Sequence, residues 1–282
     1  MRAAYTDRVM AEGRRRIRAM LAVGAATGLA SGLLGVGGGF VMVPGMVYWL
    51  KTRQHEAHGT SLAVIIPVAA VGALILGKGH DVDVGTALLL AIGAVGGAVA
   101  GARLTRRISA LRLRQGFGVL ATIVGGTMVV AAILHALGAG PQLGAALRPT
   151  GMALIVIGLA LGLVAGVGSG LLGIGGGAIM VPAMVVLLGL SQHVAQGTSL
   201  AVIIPTAISG SITHFRMGNV RLATAAWLSV GGIMGAVVGA LAALAAPDEA
   251  LRLLFGGYLA FTGVRMLQGD RSRTLAPTMA DQ

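Results

Sequence analysis

Residues 31–44 read SGLLGVGGGFVMVP, and residues 169–182 read SGLLGIGGGAIMVP. The offset that carries Ser31 onto Ser169 also joins GTSLAVIIP at 59–67 to GTSLAVIIP at 197–205 and Gln54-His55 to Gln192-His193. Between Gly28 and Pro67, 27 of 40 positions are identical to their partners without a gap. The register persists more weakly beyond this stretch. Gly93, Gly97 and Gly101 match Gly231, Gly235 and Gly239, and Phe117-Gly118 matches Phe255-Gly256. A period of nearly half the chain is far too long for a solenoid unit. It has the length of one half of a membrane protein built from two fused copies.

The composition agrees with a membrane protein. Apolar residues make up 56% of the chain and charged residues 11%, whereas soluble domains carry about 45–50% and about 25%. The net charge of +12 is concentrated in short arginine clusters beside long apolar runs. One cluster is Arg8, Arg14, Arg15, Arg16 and Arg18; another is Arg103, Arg106, Arg107, Arg112 and Arg114. Basic loops beside apolar spans are the positive-inside pattern. The basic patch or fold of a nucleic-acid-binding protein is missing, so no nucleic-acid partner is expected. The chain has no cysteine, which excludes disulfides, thiolate chemistry and cysteine-held metal. Arg14–Arg18 followed by an apolar run has the form of a signal peptide, even of a twin-arginine signal. That run, however, carries the motif that returns at 169–182, so it is read as a first membrane segment with a basic flank.

Apolar runs lie at 17–50, 57–77, 85–102 and 116–137 in the first copy, and at 151–190, 195–215, 222–245 and 252–268 in the second. Spanning a bilayer takes about 20 residues, so the first run of each copy is too long for one crossing. Each is interrupted by glycines: Gly35, Gly37, Gly38 and Gly39, or Gly173, Gly175, Gly176 and Gly177. Consecutive glycines are poor helix formers, so each long run is read as a helical hairpin. If the run crossed once, the five arginines of 103–115 would lie outside, against the positive-inside rule. With a hairpin, Lys51, Arg53, the 103–115 cluster, Arg216, Arg221, Arg271 and Arg273 all fall inside, and Asp248 and Glu249 fall outside. Each copy then has five segments, an odd number, and the copies are inverted. The expected fold is an all-α polytopic membrane protein of two inverted repeats. It comprises a basic cytoplasmic tail (1–16), repeat 1 (17–137), a linker (138–150), repeat 2 (151–268) and a cytoplasmic tail (269–282).

Corresponding helix breaks in two inverted halves mark a transport site. Lipid cannot satisfy the backbone groups freed at such a break, and a half-helix N-terminus suits an anion. The candidate substrate-binding residues are Ser31, Gly37, Gly38, Gly39, Thr60 and Ser61, with their partners Ser169, Gly175, Gly176, Gly177, Thr198 and Ser199. The hydroxyls of Gly59-Thr60-Ser61 and Gly197-Thr198-Ser199 can cap a helix start or hold an anion or a sodium ion. Pro67 and Pro205 would kink the same helices. Among the histidines, His55 and His193 form a repeated pair and are the candidates for coupling to protons, because histidine titrates near neutral pH. His58, His214, His80 and His135 are the others. No acidic residue lies in the middle of an apolar run, which argues against a carboxylate proton relay. His80, Asp81 and Asp83 share one short loop and make a weak metal set, so no metal is expected, and no cofactor beyond a coupling proton or sodium ion. Lys78 and Arg216 stand at equivalent positions after the GTS helices, as flank charges or as anion attractants. The Gly93/Gly97/Gly101 and Gly231/Gly235/Gly239 ladders read as close helix packing.

The pattern GLLGxGGGxxxVP followed by A-x-GTSL, at Gly32–Pro44 with Ala57–Leu62 and again at Gly170–Pro182 with Ala195–Leu200, resembles the sulfite exporter TauE/SafE family. The resemblance covers residues 20–268. It implies a secondary transporter, an exporter of small anions such as sulfite, organosulfonates or related organic acids, working by alternating access in the bacterial inner membrane. An anion channel is the nearest alternative. An intramembrane serine hydrolase built on Ser169 is a remote one, since Ser31 duplicates that serine and a nucleophile needs one copy. The implied partners are the bilayer and a small anionic substrate. The copies differ in the turn that precedes each GTS: residues 51–58 read KTRQHEAH, whereas residues 189–196 read GLSQHVAQ.

Overall fold

The computed structural model describes residues 2–78, 82–104, 110–136 and 149–268, and among them there are ten α-helices and no strand. The first copy supplies α1 (Arg2–Leu34), α2 (Gly39–Tyr48), α3 (Gln54–Gly77), α4 (Val84–Leu104) and α5 (Ala110–Ala136). The second supplies α6 (Gly151–Leu172), α7 (Gly177–Leu187), α8 (Gln192–Arg216), α9 (Leu222–Ala245) and α10 (Asp248–Gln268). The sequence repeat carries through to the helices. Each helix from α7 to α10 starts at the residue equivalent to the start of its counterpart, and α6 ends at the equivalent of the last residue of α1. Among the described residues, seven helices, or the apolar parts of them, are long and apolar enough to cross a membrane: Gly13–Leu34, α3, α4, α6, α8, α9 and α10.

The long apolar runs break where the glycines predict. Gly35, Gly37 and Gly38 have φ of 70°, 75° and 74°, and Gly173, Gly175 and Gly176 have 66°, 82° and 82°. An L-residue there would strain the backbone by about 1–2 kcal/mol. The returning arms α2 and α7 are 10 and 11 residues long, about 15 Å each at helical rise and half of a bilayer core of about 30 Å. Each hairpin is therefore one full helix, a glycine loop and one half-helix. The basic stretch before residue 17 continues α1 as helix from Arg2, since its Ala, Arg and Met residues are good helix formers. Residues 137–148, which hold most of the 138–150 linker, the tail from 269, and His80, Asp81, Arg106 and Arg107 lie outside the described residues.

The copies interlock rather than sitting side by side. α1 runs parallel to α9, with Gly24, Gly28 and Gly32 against the backbone from Leu228 to Ala240. α4 runs parallel to α6 in the matching way, with Gly93, Gly97 and Gly101 against Leu159, Leu163 and Val167. A Cβ on Gly231, Gly235 or Gly239 would strike the carbonyls of Leu21, Ala25 or Leu29, so both ladders do bring backbones together. The equivalent helices α3 and α8 run antiparallel: Gly59 lies beside His214, Leu62 beside Gly210, and Leu200 beside Gly72. α5 and α10 do the same, with Gly118 beside Gly263 and Gly125 beside Ala260. Equivalent helices running antiparallel imply a two-fold axis across them, as the inversion requires. Large apolar side chains such as Leu88, Ile92, Met234 and Val238 face outward, as expected of a lipid-facing surface.

Candidate functional site

The two glycine loops meet in the middle of the molecule. A Cβ on Gly39 would strike Ile174 Cα and lie 2.6 Å from the Gly173 carbonyl oxygen. A Cβ on Gly177 would lie 2.6 Å from the Gly35 carbonyl oxygen and 2.7 Å from Val36 Cα. The loops thus pass each other in opposite directions. At the crossing, Gly37 and Gly175 both contact the side chains of Ile65 and Ile203, which are equivalent residues on α3 and α8. The approach is backbone against backbone, closer than any side chain at Gly39 or Gly177 would permit, so a run of glycines serves where one helix-breaking residue would not.

The GTS motifs hold these loops, each one across the copies. Ser61 Oγ donates to the Gly173 carbonyl at 2.8 Å, and Ser199 Oγ donates to the Gly35 carbonyl at 2.9 Å. Thr60 Oγ1 accepts the Arg221 backbone N–H at 3.0 Å, and Thr198 Oγ1 accepts that of Asp83 at 2.9 Å. Arg221 is the N-cap of α9, and Asp83 directly precedes α4. The two repeated motifs are therefore partners. The GTS of one copy ties down the glycine loop and the fourth helix of the other. Ser61 and Ser199 direct their hydroxyl protons to loop carbonyls, while Thr60 and Thr198 satisfy N–H groups at helix starts.

Other polar groups line the loops without protein partners. Thr27 Oγ1, Ser31 Oγ, Ser169 Oγ and both side-chain polar atoms of Gln196 are fully buried and unpaired. Thr27 packs against Gly38, and Gln196 Cγ lies 3.0 Å from a Cβ on Gly35. Ser31 lies one turn above Thr27 on α1, and its carbonyl accepts the Gly35 N–H at 2.8 Å. On the opposite loop, the place of Gln196 is taken by His58, whose Nδ1 meets the Leu171 carbonyl at 2.8 Å. His214 Nε2 meets the Gly170 carbonyl at 3.0 Å. A carbonyl only accepts, so these nitrogens carry the protons, and with Ser61 they cap the last carbonyls of α6. His214 Nδ1 is buried without a protein partner. No Lys, Arg, Asp or Glu is buried among the described residues.

Sequence reasoning singled out the loops and the hydroxyls but missed Thr27, Gln196, His58 and His214 as neighbours of those loops. Thr27 precedes the stretch of strongest identity, and His58 and Gln196 are a position where the copies differ. The difference was the available signal. His55 is exposed at the start of α3. His193 is half-buried, with Nδ1 paired to the Asp248 carboxylate and Nε2 at 3.0 Å from the Ala243 carbonyl. Asp248 also accepts the backbone N–H groups of Gln192 and His193 at 3.2 and 3.3 Å, which caps α8 from α10. Both sites lie away from the crossing. Lys78 and Arg216 are exposed at the C-terminal ends of α3 and α8.

Charge sorts to the two ends of the molecule. Glu56 at the start of α3 pairs with Arg221 at 2.8 Å, on the end that carries Lys51, Arg53 and Arg216. The α8 start lies at the other end, with Asp83 and Asp248.

These observations meet the comparisons with known proteins. The chain is 29% identical over 239 residues to a Bacillus subtilis protein named "Probable membrane transporter protein YunE", covering 78% of this chain and 87% of that one. It is 32% identical over 238 residues to a "Probable membrane transporter protein" of Xylella fastidiosa strain Temecula1, covering 83% and 88%. A third relative, "Probable membrane transporter protein YdhB" of Bacillus subtilis, is 28% identical over 218 residues, covering 76% and 84%. No solved structure matches. The family model described as sulfite exporter TauE/SafE matches twice, over residues 2–128 and 129–280, so nearly the whole chain is accounted for by two copies of that model. With its doubled glycine hairpin and its seven candidate spans, the chain belongs to the sulfite exporter TauE/SafE family.

Proposed function

We propose that the protein is a secondary transporter that exports small anions, such as sulfite, organosulfonates or related organic acids, by alternating access. The observation that carries this reading is the crossing of the two glycine loops beside the buried, unpaired hydroxyls of Ser31 and Ser169. Two half-helices, α2 and α7, begin at that crossing from opposite sides, and helix N-termini favour anions. The absence of buried acidic side chains among the described residues suits a negative substrate. Gly37, Gly38, Gly39, Gly175, Gly176 and Gly177 form the walls. Thr60, Ser61, Thr198 and Ser199 set their position. Loops in backbone contact leave no open pore between them, which favours a carrier over a channel.

The repeats, 17–137 and 151–268, interlock through α1 on α9 and α4 on α6, so each moving unit combines helices of both copies. The basic end, with Lys51, Arg53 and Arg221, faces the cytoplasm of a bacterial inner membrane under the positive-inside rule, with both termini on that side. His193, paired to Asp248, is a better candidate for proton coupling than the exposed His55, because a carboxylate partner ties the histidine's charge to the packing of α8 on α10.

The test is uptake into proteoliposomes of labelled sulfite, sulfate, taurine, sulfoacetate and a 2-oxo acid, under proton and sodium gradients. Wild type is compared with Ser31→Ala/Ser169→Ala. Saturable, counter-transportable flux of one anion, lost in the double variant, is expected. Absence of any flux with verified folding would overturn the anion reading, and linear, non-saturating flux would replace the carrier with a channel.

A further inference from the structure

The two loops are related by the repeat, but their surroundings are not equivalent. Around Gly173–Gly177, His214 Nε2 meets the Gly170 carbonyl, His58 Nδ1 the Leu171 carbonyl and Ser61 Oγ the Gly173 carbonyl, which leaves Ser169 Oγ and His214 Nδ1 unpaired on that side. The equivalents of His214 and His58 beside the other loop are Leu76 and Gln196, and Thr27 stands where the second copy has Ala165. Of these, Leu76 cannot donate, and Gln196 and Thr27 have no partner. The Gly35–Gly39 loop is thus flanked by three fully buried side chains with unused polar atoms: Thr27, Ser31 and Gln196. Thr27 and Ser31 share a face of α1, four residues apart, and Gln196 approaches from α8 at the Gly35 end. A buried amide and two buried hydroxyls left unpaired carry a large desolvation cost, so natural structures pair such groups with protein, water or a ligand.

We propose that Thr27, Ser31 and Gln196, with the start of α2, form a cradle for a singly charged oxyanion, and that the opposite side, where Ala165 replaces Thr27 and the paired His58 replaces Gln196, offers fewer free donors and holds the anion less well. This rests on the transport reading above and assigns the substrate to one half of the crossing. The cradle supplies two hydroxyl protons and two amide protons, all donors an oxyanion accepts. It has no buried cation, so a second negative charge would enter the low-dielectric interior uncompensated. Singly charged sulfonates and hydrogensulfite fit, and sulfate does not.

The experiment is the KM and maximal rate of methanesulfonate or sulfite uptake in proteoliposomes, with sulfate as a competitor. Wild type is compared with Gln196→Leu, Gln196→Glu, Thr27→Val and Thr27→Ser. A lost hydrogen bond to a charged group implies a KM about tenfold higher or more, expected for Gln196→Leu and Thr27→Val. Thr27→Ser should stay near wild type, and Gln196→Glu should abolish flux by adding a negative charge. If Gln196→Leu fails to fold, the Thr27 pair decides. A KM within twofold of wild type in both Gln196→Leu and Thr27→Val would overturn the cradle while leaving the transporter standing, and so would inhibition by sulfate as strong as by methanesulfonate. No flux in the wild type would strike the transport reading itself.

Discussion

Ser61 and Ser199 illustrate what a hydroxyl does when it is buried beside a broken helix. Each donates to the carbonyl of a glycine in the other copy. Removing the donor leaves that carbonyl buried and unpaired, at a cost of about 1–3 kcal/mol. Ser61→Ala and Ser199→Ala should therefore each lower the melting temperature in detergent, and by similar amounts. An unchanged melting temperature in both would mean that water or another group already satisfies Gly173 and Gly35. Thr60→Val removes the acceptor for Arg221 N–H and should cost about 0.5–2 kcal/mol as a lost cap, read by the same melt. These roles were only half legible in the sequence. The doubled GTS announced that the residues mattered, and hydroxyls at a helix start allowed either a cap or a ligand. Which carbonyl or N–H each would meet depends on contacts 112 to 164 residues away, which no local pattern carries.

At the scale of elements, the glycine ladders decide which helices touch. The spacing of Gly231, Gly235 and Gly239 on one face made close packing readable. It did not reveal that α9 would pack on α1 of the other copy, because a small-residue stripe fits any complementary backbone. Gly235→Leu would drive a side chain into the Ala25 carbonyl and should eliminate the monodisperse peak in size-exclusion chromatography. Gly96→Leu lies on a face of α4 with open space around the glycine, and should retain the peak. Loss of both peaks, or of neither, would contradict the proposed difference between packed and lipid-facing glycines. The hairpins were readable from the glycine break combined with the arginine side rule. The short returning arms, α2 and α7, were not, since an apolar run of that length is equally compatible with a full crossing.

For the whole molecule, the proposed orientation follows from charge, since the positive-inside rule puts the basic end in the cytoplasm. The Glu56–Arg221 pair has its side chains 20% and 47% exposed, so it is worth at most about 1 kcal/mol. It matters more as a marker that the starts of α3 and α9 share one end. The chain contains no cysteine, so single introduced cysteines report topology without background. Glu249→Cys should react with a membrane-impermeant maleimide in intact cells. Arg53→Cys should react only after permeabilisation. The reverse pattern would flip the molecule, and labelling of both from outside would break the inversion. The all-helical, many-span class was legible from composition and the long apolar runs almost unaided, because bilayer burial acts on long stretches rather than on single contacts. The difference between the two loops was the least legible feature, since it arises where the copies diverge and the repeat signal fades.

The most direct measurement is the initial rate of anion uptake, per folded protein, for Gly37→Ala, Gly175→Ala and Gly96→Ala beside wild type. Gly37 and Gly175 sit at the crossing with φ of 75° and 82°, and a methyl there strains the backbone by about 1–2 kcal/mol and meets Ile65 and Ile203. Gly96 is helical and unobstructed. The expected result is flux lost or reduced at least tenfold in Gly37→Ala and Gly175→Ala, and retained in Gly96→Ala. Wild-type flux in both loop variants would contradict the claim that the anion passes where the two glycine loops cross.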